Sequence, residues 1–85
     1  MEKAYDILGI MFESGHIIIK LTEKVLSFQL SEISDRLSHA TGSELLDYKV
    51  TPSGYGIHWK QLDEDISING LLKLETKKHE LKNAV

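Results

Sequence analysis

Alternating apolar positions dominate the first third of the chain. Every second residue of 17–21 is a large aliphatic, which predicts a strand with one buried face. Residues 25–30 repeat the alternation, with Leu26, Phe28 and Leu30 directed inward. Residues 7–12 are apolar enough to be buried on both faces, and turn-forming residues separate the three runs at 13–16 and 23–24. The pattern predicts a three-stranded antiparallel meander.

The hydrophobic period changes from two to nearly four after Leu30. Ile33, Leu37 and Ala40 fall on one stripe of a helix, and Ser31 is a good N-cap. The pattern therefore predicts one amphipathic helix over residues 32–40, ended by Thr41-Gly42 in a left-handed stop. A further turn of helix is expected at residues 43–46.

A second hairpin is predicted where residues 48–50 and 55–59 flank the turn-forming residues 51–54. Its inward candidates are Tyr48, Val50, Ile57 and Trp59. Ser67 could cap a short helix beginning at Ile68, although Asn69-Gly70 is equally good turn chemistry. Residues 73–85 either extend that helix or fray.

These elements define a small α+β protein, in which a three-stranded meander and a second hairpin pack with two short helices. A chain of 85 residues has room for one domain, residues 1–85, and it contains no Cys, so apolar packing must hold the core. No basic leader and no apolar run of the roughly 20 residues needed to span a bilayer is present. We therefore expect a cytoplasmic protein that does not use the membrane.

Acidic residues outnumber basic ones, giving a net charge of −3. Eleven acids and six bases precede Lys73, whereas residues 73–85 hold four Lys and two Glu. An acidic body repels phosphate backbones, and Arg36 alone could make bidentate phosphate contacts. The charge argues against direct nucleic-acid binding unless the basic tail provides it.

The acidic run Asp63-Glu64-Asp65 is the first candidate for chemistry, because clustered carboxylates can bind Mg²⁺ or Ca²⁺ or share a proton. Adjacent side chains diverge, however, and the spaced acids of a Ca²⁺ loop are absent. A solvated loop that caps the next turn is the main interpretation, with an acidic partner-binding surface and a metal site as alternatives. We predict no metal site and no cofactor.

His58 and Tyr55 are the other candidates. His58 could serve as a general base or ligand, but no spaced second ligand accompanies it, and alternation with a buried Trp59 turns it outward on a strand. Tyr55 lies between two glycines, which would let a partner approach closely; a bulged hairpin explains the same glycines. The candidate interaction surface is Tyr55, His58, Asp63, Glu64 and Asp65.

The run Tyr55-Gly56-Ile57-His58-Trp59, followed by residues 62–68 and Gly70-Leu71-Leu72, closely resembles the signature of a small bacterial family known as domain of unknown function 2442. The resemblance covers about residues 7–72, and Tyr48 and Lys60 depart from its pattern. It implies an α+β fold around one core, and paired genes similar to those of toxin–antitoxin systems. It implies no catalytic residue.

We therefore expect a non-enzymatic module that binds another small, basic protein, as the acidic member of a regulatory or antitoxin-like pair, since opposite charge speeds and orients association. A small enzyme that uses His58 with Asp63 or Asp65 as acid/base groups is the alternative. DNA-linked transcriptional regulation through the basic tail is a second alternative.

Overall fold

The computed structural model describes residues 5–52 and 54–83 of the chain. This part forms two three-stranded antiparallel sheets and four helices, which confirms the predicted α+β class with one strand and two helices more than predicted. The strand orders are β1-β2-β3 in the first sheet and β4-β5-β6 in the second. The elements are β1 (Ile7–Glu13), β2 (His16–Leu21), β3 (Val25–Gln29), α1 (Leu30–Ile33), α2 (Asp35–Ser38), α3 (Gly42–Leu46), β4 (Tyr48–Val50), β5 (Gly56–Trp59), β6 (Glu64–Ser67) and α4 (Ile68–Asn83).

The first sheet is the predicted meander. Its β1–β2 turn places Ser14 at φ 49° and Gly15 at φ 76°, the two positive angles of a hairpin turn whose twist matches that of the strands. The inward residues of β2 and β3 are almost fully buried, as the alternation predicts: Ile17, Ile19, Leu21, Leu26 and Phe28.

The prediction that β1 is buried on both faces is wrong. Leu8 and Met11 are 60% and 58% exposed, and only the opposite face of β1 lies on the core, where the Phe12 ring meets Tyr48 edge-on at 6.1 Å. An apolar run predicts a doubly buried strand only where layers cover both faces, and β1 is an edge strand.

The predicted single helix over residues 32–40 is also wrong. Ser34, with φ −164° and ψ 124°, is extended and separates α1 from α2. Ser31 is not the N-cap: Gln29 caps α1 in a capping box with Glu32, and the Ser34 hydroxyl accepts from the Leu37 amide at 3.2 Å to cap α2. A serine hydroxyl competes with the helical backbone for such amides, so the chain restarts its helix there.

The predicted left-handed stop at Thr41-Gly42 is instead the start of α3, which contains the expected turn at residues 43–46. Thr41 and Glu44 form a capping box: the Glu44 amide donates to Thr41 Oγ1 at 3.2 Å, and the Thr41 amide donates to Glu44 Oε1 at 2.8 Å. The Leu45 carbonyl then accepts from the Trp59 indole N–H at 2.9 Å, which ties α3 to the second sheet.

The second sheet contains the predicted hairpin and one unpredicted strand. Ile57 and Trp59 of the central strand are buried as expected, whereas Val50 is 38% exposed because β4 is an edge strand. The expected acidic loop is wrong for Glu64 and Asp65, which form β6 beside β5 after a tight turn. Pairing with β5 overrides the low strand propensity of acidic residues.

Ile68–Asn83 after β6 form one helix, α4, so the helical alternative for the tail is confirmed as far as Asn83, and residues 84–85 lie outside the described residues. The Ser67 hydroxyl accepts from the Gly70 amide at 3.1 Å at its start, as predicted for a cap. Ile68 and Leu71 are buried in the core shared by both sheets. Lys24 and Glu75 form an ion pair that binds α4 to the β2–β3 turn.

Candidate functional site

A polar row crosses the solvent face of the second sheet: Lys49 on β4, His58 on β5 and Asp65 on β6 are direct cross-strand neighbours. Successive side chains of a strand alternate, so the buried Ile57 and Trp59 turn His58 outward. His58 Nδ1 lies 2.7 Å from Asp65 Oδ1, with 39% and 77% of the two side chains exposed. This contact fixes the imidazole and leaves its Nε2 edge toward solvent.

Glu64 faces the other way. It shares a register position with the buried Trp59, and its Oε2 accepts from the Ser34 hydroxyl at 2.6 Å. Ser34 is 8% exposed and separates α1 from α2. The Glu64 carboxylate therefore joins β6 to the break between two helices, and its role is in the packing of the fold.

Asp63 occupies the turn between β5 and β6 at φ 48°. The carbonyl oxygens of Asp63 and Leu62 accept from Arg36 Nη1 at 2.8 and 3.1 Å. The lone arginine of the chain thus holds this turn against α2. Of the three acids, only Asp65 is brought beside His58.

Tyr55 immediately precedes β5 and is 54% exposed. Its flanking glycines serve the chain itself: a Cβ at Gly54, where φ is 74°, would collide with the Tyr5 carbonyl, and one at Gly56 would lie 2.9 Å from the Ile66 carbonyl oxygen. The structure therefore explains both glycines by close packing of the backbone against Tyr5 and Ile66, and the β4–β5 register contains no bulge.

The structure contains a groove between α1, β6 and α4 that the sequence did not predict. Its lining combines four aliphatic residues with two acidic ones, and its volume is about 320 Å³. We name it the acidic groove. α1 is far in sequence from the adjoining β6 and α4, so no local pattern could have indicated the groove. The acidic groove is lined by Glu32, Ile33, Asp65, Ile66, Ser67, Gly70, Leu71 and Leu74.

Glu32 of the groove is held by two contacts. The Gln29 amide donates to its carboxylate at 2.9 Å, and Lys78 Nζ lies 3.2 Å from it. The Gln29 amide, aided by the Lys78 charge and opposed by partial burial, holds the pKa of Glu32 below its ordinary value. Glu32 therefore presents a negative charge to the groove at neutral pH.

No three His, Asp or Glu side chains within residues 5–52 and 54–83 are grouped so that they could hold a metal ion. No helix in the same part of the chain is long and apolar enough to cross a bilayer.

The fold and its surface define a small α+β domain of two antiparallel sheets with a polar row and an acidic groove. The chain belongs to the family described as Protein of unknown function (DUF2442), whose model matches residues 7–77, so the family suggested by the sequence is confirmed. No curated protein matches the chain.

Two solved structures are similar to the chain. One is the crystal structure of a protein of unknown function from Rhodospirillum rubrum, with a TM-score of 0.67 and 24% identity over 84% of this chain and 88% of that one. The other is the solution NMR structure of an uncharacterised protein from Chromobacterium violaceum, with a TM-score of 0.65 and 28% identity. That match covers 79% of this chain and 63% of the other. The first likeness shows the fold alone.

Proposed function

We propose that this chain is a cytoplasmic, non-enzymatic interaction module that binds another small, basic protein, as the acidic member of a regulatory or antitoxin-like pair. The observation that carries the proposal is the acidic groove, whose lining combines Glu32 and Asp65 with the apolar residues Ile33, Ile66 and Leu74. A lysine or arginine side chain has the same two parts, an apolar stem and a cationic end, and fits such a surface with both.

The chain's own Lys78 illustrates this chemistry. Its ammonium lies 3.2 Å from the Glu32 carboxylate and 5.2 Å from the centre of the Phe28 ring. A cation is thus accommodated between a carboxylate and an aromatic face beside the groove. A basic partner would meet the same chemistry at Asp65, whose side chain is 77% exposed.

The net charge supports the basic character of the partner. Through residue 72 the chain has five more acids than bases, and opposite charges on two proteins raise the rate of encounter and fix their orientation.

The test is affinity capture with chemical crosslinking from the native organism, using the wild type, Asp65→Lys and the control Asp35→Lys. Asp35 lies on α2 outside the groove, and its side chain is 95% exposed, so both variants add the same charge to the surface. We expect one stoichiometric basic protein with the wild type and Asp35→Lys and a clear loss with Asp65→Lys at unchanged melting temperature. Capture of no stoichiometric protein, of an acidic one, or equal capture by all three would contradict the proposal.

A small enzyme is the second candidate, because one observation favours it: the contact of 2.7 Å between His58 Nδ1 and Asp65 Oδ1. A carboxylate that orients an imidazole is a recurrent part of acid/base machinery. The pair lies on a solvent face, however, where water screens both groups, whereas electrostatic catalysis works best in a water-excluded site. We therefore rank the enzyme below the binding module.

Hydrolysis of model esters and phosphates distinguishes the two candidates. An enzyme would lose its activity in both His58→Gln and Asp65→Asn but keep it in His39→Gln, since His39 contacts Asp35 on α2, away from the polar row. Activity at the level of buffer in the wild type would contradict the catalytic role.

A further inference from the structure

The free edge of β1 is a surface that the proposed function leaves unused. Within the described part of the chain, β1 pairs only with β2, whereas α1 and α4 pack beside β3 at the other edge. Proteins usually protect an edge strand with Lys, Pro, bulges or short length. β1 has seven residues, its irregularity is confined to Ile7–Gly9, and it has no charge or Pro before Glu13. Its second half is therefore open to another strand.

Two residues of β1 direct their backbone groups toward this edge. The Leu30 amide donates to the Gly15 carbonyl at 2.9 Å, across the β2–β3 side of the sheet. Backbone groups alternate along a strand, so positions 16, 18 and 20 face β1 and bond to positions 13, 11 and 9. The N–H and C=O groups of Ile10 and Phe12 consequently point to the free edge.

The side chains around this edge are apolar. Met11 and Leu8 are more than half exposed, and Met11 is the cross-strand neighbour of the half-buried Ile18. Val25, 53% exposed, extends the same outer face to β3. A strand that pairs with β1 would extend this apolar outer face of the sheet and cover the end of the face at β1.

We propose that β1 is a self-association site, to which a second copy of this chain adds antiparallel about a two-fold axis at Met11. In this register Ile10 of each copy pairs with Phe12 of the other, so the two outward backbone pairs satisfy each other. Met11 faces Met11, and the two first sheets become one six-stranded sheet.

Charge complementarity favours a second copy as the occupant. The register places Glu13 of one copy opposite Gly9 of the other, and Lys20 is the neighbour of that glycine on β2. The space beside Gly9 is open, so the Glu13 carboxylate can reach across it to the Lys20 ammonium. Neither side chain takes part in a hydrogen bond or ion pair within the described part of the chain. Two-fold symmetry makes the contact twice.

Cysteine crosslinking tests the register. The chain has no Cys, and the central pair across the new edge would not be hydrogen-bonded, with its Cα atoms about 4.5 Å apart, within disulfide range. We expect Met11→Cys to form a disulfide dimer under mild oxidation and Val25→Cys, on the far strand of the same face, to remain monomeric. Absence of the Met11 crosslink, or equal crosslinking of both variants, would overturn the proposal.

Sedimentation equilibrium tests the association itself. We expect the 9.6 kDa wild type to form a reversible dimer as its concentration is raised toward about 1 mM, as for a small transient interface. Met11→Lys places two ammonium groups face to face and should weaken the dimer about tenfold or more, whereas Val25→Lys should leave it intact. A wild type that stays monomeric throughout this range, higher oligomers of the wild type, or equal effects of the two variants would contradict it.

A charge swap provides the last test. Glu13→Lys should weaken the dimer, because it brings a new ammonium group against Lys20 of the second copy, and adding Lys20→Glu should restore it. Within one copy the direct cross-strand neighbour of Glu13 is His16, so rescue requires contact between copies. Failure of the double variant to regain the wild-type dissociation constant would remove this ion pair from the interface.

Discussion

The solvent faces of the two sheets differ in chemistry. The first sheet exposes Met11 and Val25 around Ile18, whereas the second exposes the polar row of Lys49, His58 and Asp65. Covering an apolar face with another surface lowers the free energy, because apolar area leaves water. Covering a row of solvated charges gives little stabilisation, because the charges lose their hydration. This difference underlies our two proposals: self-association through the first sheet, and charge-guided binding of another protein beside the second.

The largest expected effect is a loss of stability in the core that the two sheets share, which would disrupt both solvent faces. Trp59 is fully buried, its ring is 6.2 Å from that of Tyr48, and its indole N–H binds the Leu45 carbonyl. Trp59→Ala should lower the free energy of unfolding by about 3–5 kcal/mol, measured by urea denaturation. Trp59→Phe, which keeps most of the apolar area but leaves the carbonyl unpaired, should cost about 1–3 kcal/mol. If Trp59→Ala lowered the free energy of unfolding by less than Trp59→Phe does, the role of Trp59 in the core would be contradicted.

The second prediction compares neighbouring acids on the two faces of β6. Glu64→Ala should cost about 1–3 kcal/mol, because it leaves the buried Ser34 hydroxyl without its carboxylate partner. Asp65→Ala, which changes the exposed polar row, should stay within about 0.5 kcal/mol of the wild type. Chemical denaturation of both variants checks this. Equal losses would show that the polar row is as important to the fold as the inward acid.

The third prediction concerns pH and the acidic groove. The folded-state pKa of Glu32 is below its ordinary value, so its contribution to stability is complete above the ordinary pKa and is lost as pH falls through the lower, folded-state pKa. Glu32→Gln should therefore reduce the fall in melting temperature on acidification by about 2 °C. Glu23→Gln, at an exposed position of the β2–β3 turn, is the control. Its melting temperature should fall on acidification as much as that of the wild type. An identical fall in melting temperature at low pH for all three proteins would contradict the stabilising role of the Glu32 carboxylate.

The smallest expected effect is that of divalent metal. The Glu64 carboxylate binds the inward Ser34 and that of Asp65 lies beside His58, and no three acidic or His side chains of the described residues converge on one ion. Mg²⁺ or Ca²⁺ at millimolar concentration should leave the melting temperature unchanged, because a ligand stabilises only as far as it occupies the folded state. A rise of several degrees that Asp63→Asn/Asp65→Asn abolishes would favour a metal site and the catalytic alternative.

Local patterns predicted the elements whose cause is local. The alternation at Ile17 and Ile19 and at Leu26 and Phe28 identifies the inner face of the first sheet, and Ser67 marks the start of α4. The break at Ser34 could not be predicted in the same way. The serine caps α2 and donates to Glu64, 30 positions later, so tertiary contacts favour two short helices over one continuous helix.

The candidate site shows the same limit. Residues 63–65 are predicted as a solvated loop, yet only Asp63 lies in a turn, because Glu64 and Asp65 pair with β5 as the first residues of β6. The acidic groove depends on α1, β6 and α4 meeting in space. The sequence suggested His58 together with Asp63 or Asp65, but only the structure shows that Asp65 is the acid in contact with His58 and that Glu64 is not part of their surface.

The association rate with the captured partner, measured against ionic strength, tests the central claim most directly. Asp65→Lys should slow association and flatten its salt dependence relative to the wild type, while Asp35→Lys should remain close to the wild type, because charges at the contact govern encounter and salt screens them. Equal rates and equal salt slopes for the wild type and Asp65→Lys would show that the partner binds elsewhere on the protein.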